Sequence, residues 1–448
     1  MNQSNKIMYF LGIGGIGMSA LARWYHHHGA TIYGYDLNSS PLTDELINEG
    51  MIIHFDEDIR KLPQNINTVV YTPAIPSDNI EFIYLKTKGV NIIKRAELIG
   101  LISKDYTTIA IAGTHGKTSI SALIVHLLKH ANINVSAFVG GYCKNYNSNL
   151  ILSNTTDYLI IEADEYDRSL LQIEPNIVVI SSMDEDHLDI YQNHDDIKNT
   201  FKLFAQKLPQ NGVLIHSSKL EPFNTAPGKH ITYGTNSEAS IRASNIRVQN
   251  SKFIIDIDTE IGKIENVEIQ VPGIHNIENT LAAVAIAMEV GLSFAEIKSG
   301  ITTFKGVSRR MDFRIINKTL IFIDDYAHHP EEIKATISAV KQLYPDKRIT
   351  GIFQPHLFSR TRDFSDEFAN ELSKLDELIL MDIYPAREKP IDGITSKIII
   401  DKIKNKVVRI FNEKEILGRL SNNKPEVLLT MGAGDIGLLV NKIERLFI

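Results

Sequence analysis

The sequence has little of what marks a secreted, membrane-spanning or thiolate-metal protein. Its single cysteine, Cys143, excludes an intramolecular disulfide and a metal cluster held by several thiolates. No apolar run approaches the length that crosses a bilayer, and no stretch with the features of a signal peptide opens the chain. We therefore expect a cytoplasmic protein whose fold does not depend on an oxidising compartment.

The chain also lacks an excess of positive charge. Its 47 Lys and Arg residues are outnumbered by 54 Asp and Glu residues, which gives a formal net charge of −7. This balance favours small-molecule partners over nucleic acid or a membrane surface. A length of 448 residues with 43% hydrophobic residues predicts an ordinary globular protein of two or three domains, and it leaves the oligomeric state open.

The most informative stretch is the glycine-rich segment at 113–119. An apolar run, Thr108 to Ala112, predicts a buried strand before it, and the apolar spacing after it predicts a helix. Loop amides, a helix N-terminus, the charge of Lys117 and the hydroxyl of Thr118 are the groups that bind nucleotide phosphates and Mg²⁺. Two residues rather than four separate the glycines, so the loop is a shortened P-loop variant. The alternative is a strand-to-helix turn that merely happens to be rich in glycine.

A second glycine motif lies near the start of the chain. Residues 12–17 read Gly-Ile-Gly-Gly-Ile-Gly between a predicted strand and a predicted helix, and Asp36 ends the next strand. This pattern is typical of a dinucleotide site, although any phosphorylated ligand with a ribose can use the same turn and carboxylate. The ligand class stays open at this point.

Polar residues follow other predicted strands, where open α/β sheets place their ligands. Glu162 and His187 are candidate Mg²⁺ ligands, and the carboxylate is the stronger candidate because Mg²⁺ prefers oxygen. The loops of the last third of the chain contain arginines and histidines that suit phosphate or carboxylate recognition, although such residues also occur as ordinary surface groups. They are Arg309, Arg310, His328, His329, His356, Arg360 and Arg362.

Taken together, these motifs resemble those of the Mur ligases of peptidoglycan (cell wall) synthesis. The resemblance extends from residue 12 to the loop at 432–435, and the joint order of the motifs is more specific than any one of them. Its carriers are the segments 12–19, 113–118, 162–165, 186–187, 275–276, 308–310, 324–330 and 353–356.

The resemblance implies an α/β protein of three domains. A Rossmann-like N-terminal domain, 1–104, would bind a UDP-sugar. A central P-loop ATPase-type mononucleotide-binding domain, 105–305, would bind ATP, and a Rossmann-like C-terminal domain, 306–448, would close on ATP and bind the amino acid. The implied reaction is the ATP-dependent formation of an amide bond between UDP-N-acetylmuramate and L-alanine. It would proceed through an acyl phosphate, with ATP and Mg²⁺ as cofactors.

The resemblance also assigns residues. For the UDP-sugar it implies Gly14, Ile16, Gly17, Asp36, Thr72 and Ala74. For ATP it implies Gly113, Thr114, His115, Gly116, Lys117, Thr118, Ser119, His275, Asn276, Asn279 and Arg310. For the amino acid and acyl carboxylate it implies Tyr326, His328, His356 and Arg360. The metal ligands would be Thr118, Glu162 and His187, and the catalytic groups Lys117, His187, His328 and Arg360.

Three other functions compete with this interpretation. The nearest is a recycling ligase that attaches a whole tripeptide to the same sugar nucleotide. The other two come from different classes, namely a P-loop kinase and a nucleotide-binding sensor without turnover. The segments 306–312 and 354–356 resemble the alanine enzyme more than the recycling ligase. Serine at position 119, where the family commonly has threonine, is a mild departure that keeps the hydroxyl.

Overall fold

The computed structural model describes residues 6–184, 191, 193–386, 388–403 and 408–448. The chain forms two compact units. The first comprises Met1–Arg242, Asp258–Gly262 and Asn279–Gly300, and the second comprises Ala243–Ile257, Lys263–Glu278 and Ile301–Ile448. None of the helices in these described ranges is long and apolar enough to span a membrane.

The chain begins with a five-stranded parallel sheet. Its strand order, β3-β2-β1-β4-β5, reverses direction at β1, which places the carboxyl end of β1 at a topological switch point. Helix α2 starts with Pro41 and is capped by the Ser40 hydroxyl. The elements are β1 Ile7–Leu11, α1 Ile16–His27, β2 Thr31–Tyr35, α2 Pro41–Asn48, β3 Ile52–His54, β4 Thr68–Tyr71, α3 Ile80–Thr87, β5 Ile92–Lys94 and α4 Arg95–Ser103.

A larger sheet follows in the same unit. The apolar strand β6 is buried from its second residue onward and pairs in parallel with both β9 and β10, as expected for a strand covered on both faces. The order across this part is β12-β11-β10-β6-β9-β7-β8, with β8 antiparallel to β7. The elements are β6 Thr107–Ala112, α5 Lys117–His130, β7 Val135–Cys143, β8 Ser148–Ile151, β9 Tyr158–Ala163, β10 Ile177–Ile180, α6 His194–Ala205, β11 Val213–Ser217 and β12 Lys229–Gly234.

One continuous apolar core joins these two sheets. Trp24 of α1 packs on Phe138 of β7 with ring centroids 5.2 Å apart, and Leu98 of α4 belongs to the same buried cluster. The two sheets of the first unit are therefore held at a fixed relation by packed side chains. The elements that follow along the chain are β13 Ile241–Gln249, β14 Lys252–Thr259, β15 Gly262–Ile269, α7 Ile274–Glu289 and α8 Phe294–Thr303.

The second unit contains a six-stranded sheet of order β16-β17-β21-β18-β19-β20, in which only the edge strand β16 is antiparallel. Pro330 and two glutamates open α9, as the sequence predicts. The elements are β16 Asp312–Ile316, β17 Ile321–Asp325, α9 Pro330–Leu343, β18 Ile349–Phe353, α10 Phe358–Asp363, α11 Ser365–Leu372, β19 Glu377–Leu380, α12 Lys397–Ile400, β20 Arg409–Ile410, α13 Glu413–Asn422, β21 Val427–Met431 and α14 Ile436–Phe447.

Candidate active site

The glycine loop at 113–116 joins β6 to α5 in the predicted strand–loop–helix arrangement. Gly113 has φ 131° and Gly116 has φ 86°, a region that favours glycine. A Cβ atom at Gly113 would collide with Ser181 Oγ, and one at Gly116 would lie 2.5 Å from Asn279 Oδ1. The two glycines are thus required both by backbone conformation and by space, and Asn279 lies directly against the loop.

Two serines after β10 brace this loop, and sequence reasoning missed them. Ser182 Oγ accepts from His115 N at 2.9 Å and bonds Thr114 Oγ1 at 2.8 Å, while Ser181 Oγ donates to His115 O at 2.5 Å. The signal was available, because both serines directly follow an apolar strand. The loop is therefore held in shape by its neighbouring strand before any ligand binds.

Lys117 is the first residue of α5 and points back into the loop. Its Nζ donates to Gly113 O and to Glu165 Oε2, both at 2.6 Å. Burial by itself would lower the pKa of Lys117, but the Glu165 carboxylate, with Asp164 and Glu162, outweighs it and raises the pKa. Lys117 is therefore a fixed positive charge. Glu165, whose side chain is only 2% exposed, is a partner that the sequence did not assign.

Glu162 lies in β9 and faces the start of α5. Its carboxylate accepts from Thr118 Oγ1 at 3.0 Å, from Ser121 Oγ at 2.9 Å and from Gly140 N. Burial raises the pKa of Glu162, and the Gly140, Ser121 and Thr118 donors, together with Lys117, oppose that rise. The predicted pair, Thr118 and Glu162, is thus brought together.

These groups fit a magnesium ion. A buried carboxylate beside a hydroxyl at a phosphate loop is the donor set that Mg²⁺ takes when nucleotide phosphates and water complete its shell. The described residues hold no group of three or more His, Cys, Asp or Glu side chains arranged for a metal. The third predicted ligand, His187, lies outside the described residues. Ser119 follows Thr118 in the first turn of α5, partly exposed.

The first glycine loop, 12–17, is closed by a hydrogen bond to an aspartate rather than by a lysine. Asp36 Oδ2 accepts from Gly14 N at 2.7 Å, so the acidic residue at the end of β2 reaches the loop as its position predicts. Thr72 lies against Gly12, whose φ is 81°, while Ala74 is exposed in the same loop after β4. Helix α1 then begins at Ile16 with no side-chain cap.

Gly17, the last glycine of this motif, lies against a residue that sequence reasoning did not assign. A Cβ at Gly17 would collide with Arg95 Nη1. Arg95 is the first residue of α4, and its Nη2 lies 3.5 Å from Asp164 Oδ2. Arg95 is thus a cation, in addition to Lys117, that lies between the first glycine loop and the end of β9.

In the second unit, the loop after β17 gathers several predicted residues. The guanidinium groups of Arg309 and Arg310 lie 5.1 and 5.0 Å from the Tyr326 ring centroid, within cation–π range. His328 contacts the Tyr326 ring edge-on at 5.3 Å and the His356 ring at 5.7 Å. Arg310, Tyr326, His328 and His356 therefore form one cluster.

Two buried aspartates, Asp324 and Asp325, support this cluster by hydrogen bonds. Asp325 accepts from Met311 N and Ala327 N, each at 2.9 Å, and burial raises its pKa to about 6, against the opposing effect of Arg310. Asp324 accepts from Thr430 Oγ1 at 2.7 Å and from Arg309 Nε at 3.3 Å. These bonds fix the backbone on which Arg309 and Tyr326 lie.

The remaining predicted residues lie elsewhere in the second unit. Arg360 is buried in α10, which begins two residues after His356. His275 and Asn276 open α7, where Asn276 Nδ2 donates to Pro272 O at 2.8 Å and lies 3.0 Å from His275 Nε2. The structure thus supports a local pair of His275 and Asn276.

Three segments of the chain match models of the Mur ligase family. Residues 7–107 match "Mur ligase family, catalytic domain", residues 111–287 match "Mur ligase middle domain", and residues 309–434 match "Mur ligase, glutamate ligase domain". The chain belongs to the Mur ligase family. The predicted fold class, three α/β domains in this order, is confirmed.

Relatives within the family carry a common name. The chain is 44% identical over 449 residues to UDP-N-acetylmuramate–L-alanine ligase of Flavobacterium psychrophilum, covering 99% of this chain and 98% of the relative. It is 44% identical over 446 residues to the protein of that name from Phocaeicola vulgatus, covering 98% and 97%.

Solved structures agree with this placement. The crystal structure of UDP-N-acetylmuramate-alanine ligase from Thermotoga maritima matches with a TM-score of 0.84 at 26% identity, covering 98% of both chains. A murein peptide ligase from Psychrobacter arcticus matches with a TM-score of 0.72 at 21% identity, covering 99% and 98%, and shows the shared fold.

Proposed function

We propose that this protein is an ATP-dependent ligase that joins UDP-N-acetylmuramate to L-alanine in peptidoglycan synthesis. The observation that carries the proposal is the joint presence of Lys117 and the Thr118–Glu162 pair at the 113–119 loop, in a chain that is 44% identical to alanine ligases along almost its whole length. Because the reaction consumes ATP and a nucleotide sugar, we place it in the cytoplasm.

We assign one substrate to each predicted domain. Residues 1–104 would bind the UDP moiety through the loop at 12–17, and residues 105–305 would bind ATP through the loop at 113–119. Residues 306–448 would supply the amino-acid site. The support is chemical, since the first two are glycine loops before helices and the third has a cluster of cationic and aromatic groups.

The phosphate loop activates a carboxylate. A free carboxylate is a poor acyl donor because its leaving group would be oxide. One carboxylate oxygen of the lactyl group attacks the γ-phosphorus of ATP, the bond to the bridging oxygen breaks, and ADP leaves with that electron pair. Lys117 and the loop amides of residues 116 and 117 would stabilise the charge on the transferring phosphoryl group. The product is an acyl phosphate, whose leaving group is inorganic phosphate.

The amide bond forms in a second step. The alanine amine attacks the acyl carbon, a tetrahedral oxyanion forms, and phosphate departs as the carbonyl returns. The amine loses one proton in the process. We assign the surroundings of the amine and the acyl group to Tyr326, His328, His356 and Arg360, with Arg310 on the nucleotide phosphates, because arginine suits phosphate and carboxylate oxygens.

Adenine recognition falls to His275, Asn276 and Asn279 in this proposal. The support is the position of Asn279 against Gly116 and the pairing of His275 with Asn276 at the start of α7. A magnesium ion would be held by Thr118 and Glu162, with His187 proposed at a second metal, and it would neutralise phosphate charge during transfer.

The experiment is a phosphate-release assay with the purified protein. We expect release only when ATP, UDP-N-acetylmuramate and L-alanine are all present, measured against mixtures that omit each in turn. Turnover with the tripeptide L-alanyl-γ-D-glutamyl-meso-diaminopimelate but not with L-alanine would overturn the assignment in favour of a recycling ligase. ATP binding without turnover in any mixture would indicate a sensor.

A further inference from the structure

Arg95 is a partly exposed cation that has no role in either of the two catalytic steps above. It begins α4 directly after β5, and its side chain is 27% exposed. Strands β1, β4 and β5 are parallel neighbours, so the carboxyl end of β5 lies on the same edge of the sheet as the loop at 12–17. The fold therefore delivers Arg95 to the glycine loop.

The contact with that loop is close. Gly17 leaves room for the guanidinium, since a Cβ at this position would collide with Arg95 Nη1 and lie 3.4 Å from both Cδ and Cζ. The first turn of α1 has no side-chain cap and contains no acidic residue. An arginine against an uncapped first turn brings guanidinium donors close to backbone N–H donors of the helix start.

The partner that Arg95 has in this structure holds it weakly. Nη2 lies 3.5 Å from Asp164 Oδ2, and the Asp164 side chain is 39% exposed. By contrast, the adjacent carboxylate, Glu165, holds Lys117 at 2.6 Å and is 2% exposed. A long ion pair between partly exposed groups contributes little to stability, so stabilising the fold is a poor explanation for Arg95.

We infer that Arg95 binds the diphosphate of the sugar nucleotide, leaving Asp164 to do so. The guanidinium fork matches two phosphate oxygens, and Gly17 belongs to the loop expected to face the diphosphate. The neighbouring residue, Lys94, pairs with Asp167 at 2.9 Å, so its charge is already balanced and Arg95 is the cation assigned to the loop.

This inference rests on the proposed function, and direct binding separates the two. Calorimetric titration of the full chain with UDP, and separately with UDP-N-acetylmuramate, needs neither ATP nor L-alanine. We expect the Kd of both ligands to rise by about 10- to 100-fold in Arg95→Ala, as for loss of a charge-assisted hydrogen-bonded pair, with a smaller rise in Arg95→Lys. The matched control is Arg60→Ala, which removes an exposed arginine paired with Asp58 in the same sheet region and should leave both Kd values unchanged.

Each outcome decides. Equal weakening for both ligands, with Tm close to that of the wild type, supports diphosphate binding. Weakening for UDP-N-acetylmuramate alone would show that Arg95 contacts the lactyl carboxylate and would overturn the inference. Unchanged binding of both ligands by Arg95→Ala would overturn it too, while the proposed function stands. A wild-type chain that binds neither ligand would overturn both.

Discussion

The two glycine loops of the first unit share a strand–loop–helix arrangement and differ in the charged side chain that bonds to the loop backbone. At 12–17 a strand passes through glycines into α1, and an aspartate, Asp36, reaches the loop and accepts from Gly14 N at 2.7 Å. At 113–116 a strand passes through glycines into α5, and a lysine, Lys117, reaches back to Gly113 O at 2.6 Å. One loop is closed by an anion from a neighbouring strand and the other by a cation from its own helix.

This difference agrees with the two ligands proposed for the loops. At the first loop the carboxylate of Asp36 bonds to the loop backbone, and the cation assigned to this loop, Arg95, comes from α4. At the second loop Lys117 places the positive charge inside the loop itself, next to the Thr118–Glu162 pair. In the proposed function the first loop recognises the sugar nucleotide, and the second takes part in transfer of the terminal phosphate of ATP.

The largest expected effect is at Lys117. Lys117→Ala removes the charge that stabilises the transferring phosphoryl group, and we expect kcat for phosphate release to fall by about 10²- to 10³-fold or more. The variant also leaves Glu165 buried without its cation, which destabilises the fold. The double variant Lys117→Ala/Glu165→Gln removes that charge, so it should recover Tm and stay inactive. Near-normal turnover in either variant would refute the role of the loop.

The next effect is at Asp36 and should be confined to one substrate. Asp36→Ala removes the acceptor that holds Gly14 N and, in the proposed site, an acceptor for the ligand. Loss of one hydrogen bond to a charged group corresponds to about a 10- to 100-fold change in affinity. We expect KM for UDP-N-acetylmuramate to rise by that factor while KM for ATP stays near the wild-type value. Steady-state kinetics with each substrate varied in turn checks this. An equal rise in both KM values would break the distinction between the two loops.

A smaller effect concerns pH and magnesium. Burial raises the pKa of Glu162, so the carboxylate would gain a proton, and lose the proposed Mg²⁺, as pH falls through that raised value. Ser121 donates to Glu162 at 2.9 Å and opposes the rise. In Ser121→Ala we expect the loss of activity to begin at a higher pH and the Mg²⁺ requirement to increase about tenfold.

The control for this experiment is Ser103→Ala. Ser103 is a buried serine of the same unit that bonds Gly100 O and Glu174 N, away from Glu162. Titrations of activity against Mg²⁺ at several pH values should superimpose for this variant and the wild type. If the Ser121→Ala profile also superimposes on that of the wild type, the proposal that Glu162 binds the metal is contradicted.

The smallest effect tests how the two loops are held together. Asn149 of β8 is fully buried and donates to Ile16 O at 2.7 Å, at the start of α1, while accepting from Arg23 Nη1 at 3.1 Å. Strand β7 of the same hairpin supplies Gly140 N to Glu162. In Asn149→Ala we expect a rise of about tenfold or less in KM for UDP-N-acetylmuramate, with kcat less affected. A fall in kcat alone would contradict this.

Local motifs allowed the sequence to predict much of this site. Glycine spacing and helix starts give both loops, and acidic residues at strand ends give Asp36 and Glu162, because such signals depend on neighbouring residues. The sequence did not predict Ser182, Glu165 or Arg95. Arg95 meets Asp164 across 69 positions and Ser182 meets His115 across 67, so these pairings follow from strand order rather than from any local pattern.

The most direct test of the central claim is trapping of the activated carboxylate. The protein is incubated with ATP, UDP-N-acetylmuramate and hydroxylamine in the absence of L-alanine, and the products are identified by mass spectrometry. The account predicts the hydroxamate of UDP-N-acetylmuramate together with ADP and inorganic phosphate, and no product with Lys117→Ala/Glu165→Gln. A stable phosphorylated sugar nucleotide without hydroxamate would contradict it and identify a kinase.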